Sequence, residues 1–265
     1  MQWQLNYLGQ TKIDIAIRRI KTYSKLRNKY YLAYSGGKDS IVIKKLADMS
    51  GVEYQAYYNL TTVDPPEVVQ NIKKDKSIII QYPEISMIRL IEKKMFPPTR
   101  KIRYCCEYFK EQKGQGEFVI TGVRHSESNK RKKRKLIDVE NDIFTSNKIN
   151  LMNDNNEKRK YIENCQIKSK LILNPILDWT DNDVWHFIKS YNLDYPKLYD
   201  KGLNRLGCIG CPMASKKMRL KEFEKYPKYY NYYIKAFELM LENRENNKKN
   251  TTWKNAKEVM KWWIN

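Results

Sequence analysis

The 265-residue sequence has no apolar run long enough to cross a bilayer and no signal-peptide pattern behind its first methionine. Both absences argue against a membrane protein and predict a soluble, cytoplasmic one. Acidic residues are short: 30 Asp and Glu face 51 Lys and Arg, for a formal charge of +21. That excess exceeds what solubility needs and makes phosphate-rich partners, nucleic acid first among them, natural candidates. An abundance of lysine, asparagine and isoleucine also fits a merely solvated lysine surface. No internal repeat is present, which sets aside solenoid architectures. Cysteines number only five, but four fall in two tight pairs, Cys105–Cys106 and Cys208–Cys211, with Cys165 alone.

What is there alternates. Apolar residues at helical spacing over "LNYLGQTKIDIAIRRIKTYS" predict a helix before a first buried strand ending at Tyr31–Tyr34. Further strands are expected at "VEYQAYYNL", "SIIIQYP", "EFVITGVR" and "KLIL". Helices are expected from Pro65 or Pro66, over "EISMIRLIEKKM", and after Thr180 as N-cap. This order predicts an α/β fold: a mostly parallel sheet of about five strands with helices on both faces. The stretch from 125 to about 160 is polar and charged and reads as an excursion outside the core. From Lys216 onward the pattern is helical throughout.

Between the first strand and the helix after it lies "SGGKDS", Ser35 to Ser40. Gly36 and Gly37 allow close backbone approach, and the following helix offers N–H groups and a partial positive charge, so the turn reads as a phosphate cradle. The Walker spacing of four residues between its glycine and Gly-Lys-Ser/Thr is missing, so an ordinary kinase or GTPase loop fits poorly. The expected division is a nucleotide-binding domain over 1–190, with the charged insertion, and a Cys-x-x-Cys and helical region over 191–265.

Vicinal cysteines are too close for the usual disulfide span, and cytoplasmic thiols stay reduced, so metal is the better account of the pairs. Gly207, Gly210 and Pro212 make a tight turn that aims two thiolates at one centre. Zinc and an iron–sulfur cluster both remain open. Neighbouring cysteines chelate one tetrahedral zinc awkwardly, whereas a four-iron cubane offers them separate irons.

The "SGGKDS" loop after a strand resembles the pyrophosphate loop of the ATP-pyrophosphatase superfamily. With "TGVRHSES", "NPILDWTDNDVWHFI" and "LYDKGLNRLGCIGCPMAS", the chain is similar to the phosphoadenylyl sulfate reductase family, near its DNA phosphorothioation and adenylyl sulfate reductase branch, over about 29–215. The resemblance implies that Ser35, Gly36, Gly37, Lys38, Asp39 and Ser40 surround the phosphates of ATP with magnesium, with Gly122 and Arg124 completing the nucleotide site. Lys38, Asp39 and Arg124 would be the catalytic residues. Arg124 and Arg131 are placed to contact phosphate or sulfate, since the planar guanidinium bonds two oxygens at once. The Cys-Cys and Cys-x-x-Cys arrangement resembles that of enzymes holding a [4Fe–4S] cluster on Cys105, Cys106, Cys208 and Cys211. Two departures matter: "WKNAKEVMKWWIN" carries no catalytic cysteine, and the loop is complete where reductases usually have a degenerate one.

Both push the expectation toward an ATP-using adenylating enzyme that supports sulfur transfer to an acceptor, tRNA or DNA being candidates, with a sulfur-donor protein as a further partner. One alternative is a sulfonucleotide reductase acting on an adenylyl sulfate with an external thiol. The other is a non-catalytic nucleotide- and nucleic-acid-binding protein. Cys165 is expected to be dispensable.

Overall fold

The computed structural model of the protein describes residues 9–129, 131–140 and 170–265. Cys165 and most of the charged excursion lie outside the described residues. Six strands form one sheet in the order β3-β2-β1-β4-β6-β5. They are β1 (Tyr30–Ala33), β2 (Tyr54–Asn59), β3 (Ile78–Gln81), β4 (Phe118–Ile120), β5 (Ile137–Glu140) and β6 (Lys170–Leu173). Pairs β1–β2, β1–β4 and β4–β6 are parallel. Strand β5 runs antiparallel to β6, with Ile137 opposite Leu173.

The expected five strands are therefore joined by a sixth, and part of the charged excursion belongs to the sheet edge. Asn174, fully buried, explains why. Its amide donates to the Lys135 carbonyl at 2.9 Å and to Asp138 at 3.0 Å, and its oxygen accepts from Thr121 at 2.6 Å. One polar side chain thus ties the ends of β4 and β6 to the start of β5.

The chain separates into two compact units. The first comprises residues 1–58, 71–79 and 114–201, and the second 59–70, 80–113 and 202–265. The Cys105–Cys106 segment therefore shares its unit with the C-terminal helices.

In the first unit, α1 (Lys12–Ser24) opens on a Thr11–Asp14 capping box and buries Ile13, Ala16 and Ile20. Helix α2 (Lys38–Ser50) buries Ile41, Val42, Ile43, Leu46 and Ala47, the apolar set expected from its spacing, and ends on Gly51 in the left-handed region. In the second unit, α4 (Met87–Lys94) packs with α7 (Lys216–Lys225), α8 (Pro227–Asn246) and α9 (Ala256–Ile264) around one apolar cluster. Tyr233, Phe237, Met240 and Trp263 lie at its centre. Helix α3 (Pro66–Lys74) begins at the second of the two expected prolines. The cysteine pair sits on α5 (Tyr104–Cys106), which runs directly into a π-turn over Glu107–Glu111. Helix α6 (Asp181–Ser190) starts at the expected Thr180. No helix among the described residues is long and apolar enough to cross a membrane.

Candidate functional site

Strand order, not strand direction, switches sides between β1 and β4: β2 and β3 follow β1 on one side, and β4 lies parallel to β1 on the other. In open parallel sheets ligands settle in the crevice beyond the carboxyl ends of such a strand pair. The Ser35–Ser40 loop leaves β1 there, and Gly122 and Arg124 leave β4 beside it. Gly36 takes φ 72°, a conformation that disfavours any side chain, and Gly37 is the N-cap of α2. Gly37 provides no side-chain cap, so the first turn of α2 depends on other groups. Ser40 Oγ donates to the Gly37 carbonyl at 2.8 Å, and Ser35 Oγ donates to Ser40 Oγ at 3.2 Å. Gly122 must be glycine for a separate reason: a Cβ there would lie 2.9 Å from the backbone of Asp39.

Arg124 is the most committed side chain of this unit. It is fully buried, with Nε donating to Asp39 at 2.7 Å, Nη2 to Asp181 at 2.8 Å, and Nη1 to Ser126 at 2.8 Å and the Trp179 carbonyl at 3.3 Å. Burial opposes its charge, but Asp39 and Asp181 outweigh burial and hold its pKa above the ordinary arginine value. Asp181 in turn is held below the usual carboxylate range, Arg124 prevailing over partial burial. Lys38, also buried, reaches both carboxylates, at 3.3 Å from Asp39 and 3.5 Å from Asp181. In this arrangement the guanidinium fork of Arg124 is spent on carboxylates and fixes the loop's Asp39. Arg131 pairs with Glu127 in the turn after β4.

Two participants were not visible in sequence. Asp181 was read only as part of a helix start. Tyr199 accepts from the Lys38 backbone N–H at 3.0 Å, and its ring lies 5.9 Å from Lys38 Nζ. Trp185 packs edge-on against both Tyr199 and Tyr195.

The second unit brings the four expected cysteines together, all as free thiols. Cys105 is buried, and the other three are partly exposed. The Cys208–Cys211 turn is held at its first three residues. Thr61 Oγ1 lies 3.4 Å and Lys110 Nζ 3.5 Å from Cys208 Sγ. Ile209 N–H donates to the Val63 carbonyl at 2.8 Å, and its own carbonyl accepts from Tyr233 at 3.0 Å. Gly210 N–H donates to Glu222 at 2.8 Å. Gly210 has φ 70°, and a Cβ there would come 2.6 Å from the Phe223 ring.

A hydrogen bond within the vicinal pair raises the Cys105 pKa and lowers that of Cys106, with Lys110 and Arg103 adding to the second effect. Burial pushes the Cys211 thiol up. The charges of Cys208, Cys106 and Cys211 all act on Lys110 and raise its pKa, Cys208 most strongly. Among the described residues no three His, Cys, Asp or Glu side chains converge on a site for one metal ion. The four thiols lie on two short segments of the same unit. Lys110 was missed in sequence, although its place four residues after Cys106 puts it one turn along the same face.

Residues 29–214 match the family described as the phosphoadenosine phosphosulfate reductase domain. An uncharacterized protein of Methanocaldococcus jannaschii is 29% identical over 231 residues, covering 81% of this chain and 49% of that protein. The chain spans about half the length, or less, of the first curated relatives it matches. Adenosine 5'-phosphosulfate reductase 2 of Bacillus subtilis is 38% identical over 68 residues, 24% of this chain and 29% of that one. The crystal structure of phosphoadenylyl-sulfate reductase from Candida auris, a phosphate complex, shares the fold. It has a TM-score of 0.50 and 15% identity, covering 78% of this chain and 98% of that one.

Proposed function

The chain belongs to the phosphoadenosine phosphosulfate reductase domain family, and from that premise we propose that it is an ATP-pyrophosphatase-type enzyme that adenylates an acceptor and supports sulfur transfer with a four-cysteine iron–sulfur cluster. The observation that carries this reading is the intact loop at the switch point of the sheet. Ser35, Gly36, Gly37, Lys38 and Ser40 surround the N-terminus of α2, where amides and the helix dipole favour phosphate oxygens. A family member that receives a ready-made adenylyl sulfate has no need for such a cradle.

In the proposed reaction an acceptor oxygen attacks the α-phosphorus, the bond between the α- and β-phosphates breaks at the bridging oxygen, and pyrophosphate leaves into the cradle. Lys38 and the loop amides stabilise the charge that grows on the leaving group. Arg124 acts through Asp39 and Asp181, which it holds in place. Asp39 and Asp181 would hold magnesium, Asp181 being well exposed beside the loop. Adenylated oxygen then leaves as AMP when sulfur attacks.

The donor set in the second unit fits the cluster. Four thiols lie on two short segments, with a cation on Cys208 and a hydroxyl beside it. Bound there, the cluster would supply a delocalised charge that polarises the incoming sulfur. Thr61, Glu222 and Tyr233 fix the geometry of Cys208–Cys211, and Lys110 balances its charge. Anaerobic isolation followed by iron and sulfide analysis tests this half. About four irons with matching sulfide are expected; stoichiometric zinc without sulfide would replace the cluster by a zinc site.

The local similarity to adenosine 5'-phosphosulfate reductases favours a second reading, sulfite release from an adenylyl sulfate with a thiol supplied by another molecule. Protein-dependent sulfite release without ATP turnover would select it.

A further inference from the structure

The second unit holds an open cavity of about 600 Å³, within the ~300–1,000 Å³ range of sites for small ligands. One wall is α5 with the π-turn after it. Arg103, Glu107 and Glu111 recur there every four residues and so share a face, with Tyr104 beside them. The opposite wall comes from the end of α4 and the segment after it, through Lys94, Phe96, Lys101 and Ile102.

These walls are fixed without a ligand. Met95, at φ 54°, caps α4 and turns the chain out of the helix. Tyr104 Oη then donates to the Phe96 carbonyl at 2.6 Å, and Trp263 Nε1 donates to the Pro98 carbonyl at 2.6 Å. Thr99 N–H donates to the Ile102 carbonyl and Ile102 N–H to Thr99 Oγ1, each at 3.0 Å. A cavity held in this way loses little conformational freedom when it binds.

Its lining is cationic and aromatic together. Arg103 lies 3.6 Å from Glu111, so their charges offset each other, and Lys94 and Lys101 are the exposed cations turned to a ligand. Phe96 packs edge-on against Trp262, with centroids 5.6 Å apart, and tilted against Trp253 at 6.0 Å. Trp262 is 44% exposed and Ile102 51%, which leaves flat apolar surface open to solvent beside the lysines. Lys254 and Lys261, next to those two tryptophans in the chain, are exposed as well. Phosphates call for such cations and bases for such rings, while a carboxylate such as Glu107 accepts from an exocyclic amino group. An acidic peptide would leave the rings unused, and a concave wall carrying Glu107 and Glu111 does not match a flat anionic membrane.

Resting on the acceptor-adenylating reading above, and naming the acceptor's class, we propose that this cavity anchors one unpaired nucleotide of a single-stranded nucleic acid. The base lies against Phe96 and Trp262, the flanking phosphates meet Lys94 and Lys101, and Glu107 faces the base edge. A paired base would first have to leave its stack, so the site favours single strands over duplex.

The test uses the whole chain, isolated anaerobically, with a short single-stranded RNA of mixed sequence as probe. Affinity is read by fluorescence anisotropy across a salt series without ATP, and iron content and ATP turnover are measured separately. The RNA should bind at low salt at least tenfold more tightly than its own duplex. Lys94→Gln with Lys101→Gln should weaken binding at least tenfold and lower the salt slope by up to about 1.4. Trp262→Leu should weaken it about tenfold and leave the slope unchanged, because stacking releases no counterions. RNA carrying 5-iodouridine, which light joins to aromatic side chains, should crosslink at Phe96 or Trp262, and this mapping decides if a variant fails to fold. Crosslinks confined to the basic run at 131–135, displacement by polyglutamate as effective as by unlabelled RNA, or no binding at low salt overturns the inference. Such a failure leaves the adenylation reading standing wherever AMP and pyrophosphate still form. Absence of both products with the crosslink in place sinks that reading and leaves the cavity a nucleic-acid site.

Discussion

Asp39 and Asp181 meet on one guanidinium, and the behaviour of the proposed nucleotide site turns on that meeting. Removing Arg124 leaves two carboxylates near a buried void, so Arg124→Ala should destabilise the protein by about 3 kcal/mol, the low end for a broken buried pair because Asp181 is exposed. Chemical denaturation measures this. Linkage adds a pH signature. Asp181 titrates below its unfolded value in the fold, so its stabilising contribution is complete above pH about 4 and fades as pH falls through the folded pKa. Asp181→Asn should therefore flatten the acid side of the stability profile and leave the neutral side parallel. Gly122→Ala drives a methyl group against the Asp39 backbone, and calorimetry should find ATP binding at least tenfold weaker with iron content unchanged. Tyr199 presents the opposite case. Its hydroxyl takes the Lys38 amide that a phosphate oxygen would use, so Tyr199→Phe should tighten ATP binding, and equal or weaker binding would show that the hydroxyl assists the ligand.

Helices were the most legible elements, because each carries its periodicity and its cap in a continuous stretch. Thr180 was identifiable as an N-cap from sequence, and it accepts from Asp183 N–H in a full capping box. Thr180→Ala should cost about 1 kcal/mol, measured by thermal or chemical unfolding. Gly36 was also legible as a turn residue, which its positive φ matches, and the paired cysteines were legible from their spacing. Strand β5 was not. Its four residues, Ile137–Glu140, follow a run of lysines and arginines, and what makes them a strand is the distant Asn174 and the edge of β6. The partners of Arg124 were hidden for the same reason: Asp39 and Asp181 reach its guanidinium from distant parts of the chain. Gly210 lies between these extremes, visible as a turn residue though not for the aromatic rings behind it. Gly210→Ala should lower bound iron several-fold, since φ and Phe223 both forbid the methyl group, while ATP affinity in the other unit stays unchanged.

At the scale of the whole molecule the charge of +21 fits either an anionic partner or a solvated lysine surface. Arg131 and Arg134 of the basic run are paired with Glu127 and Asp138, and among the described residues Lys132, Lys133 and Lys135 are its exposed lysines. If nucleic acid is the acceptor, affinity measured against salt should fall steeply, and neutralising those three lysines should lower the slope by up to about three. No binding to RNA or DNA at low salt would point to a small acceptor instead. The central claim concerns ATP itself. Anaerobically isolated protein is incubated with magnesium and ATP labelled at the α- and γ-phosphates, with and without candidate tRNA or DNA acceptors and a sulfide source, and the products are separated. The account predicts labelled AMP and pyrophosphate in equal amounts, both lost in Gly122→Ala. Release of ADP and orthophosphate, or sulfite release from adenylyl sulfate with ATP untouched, would contradict it.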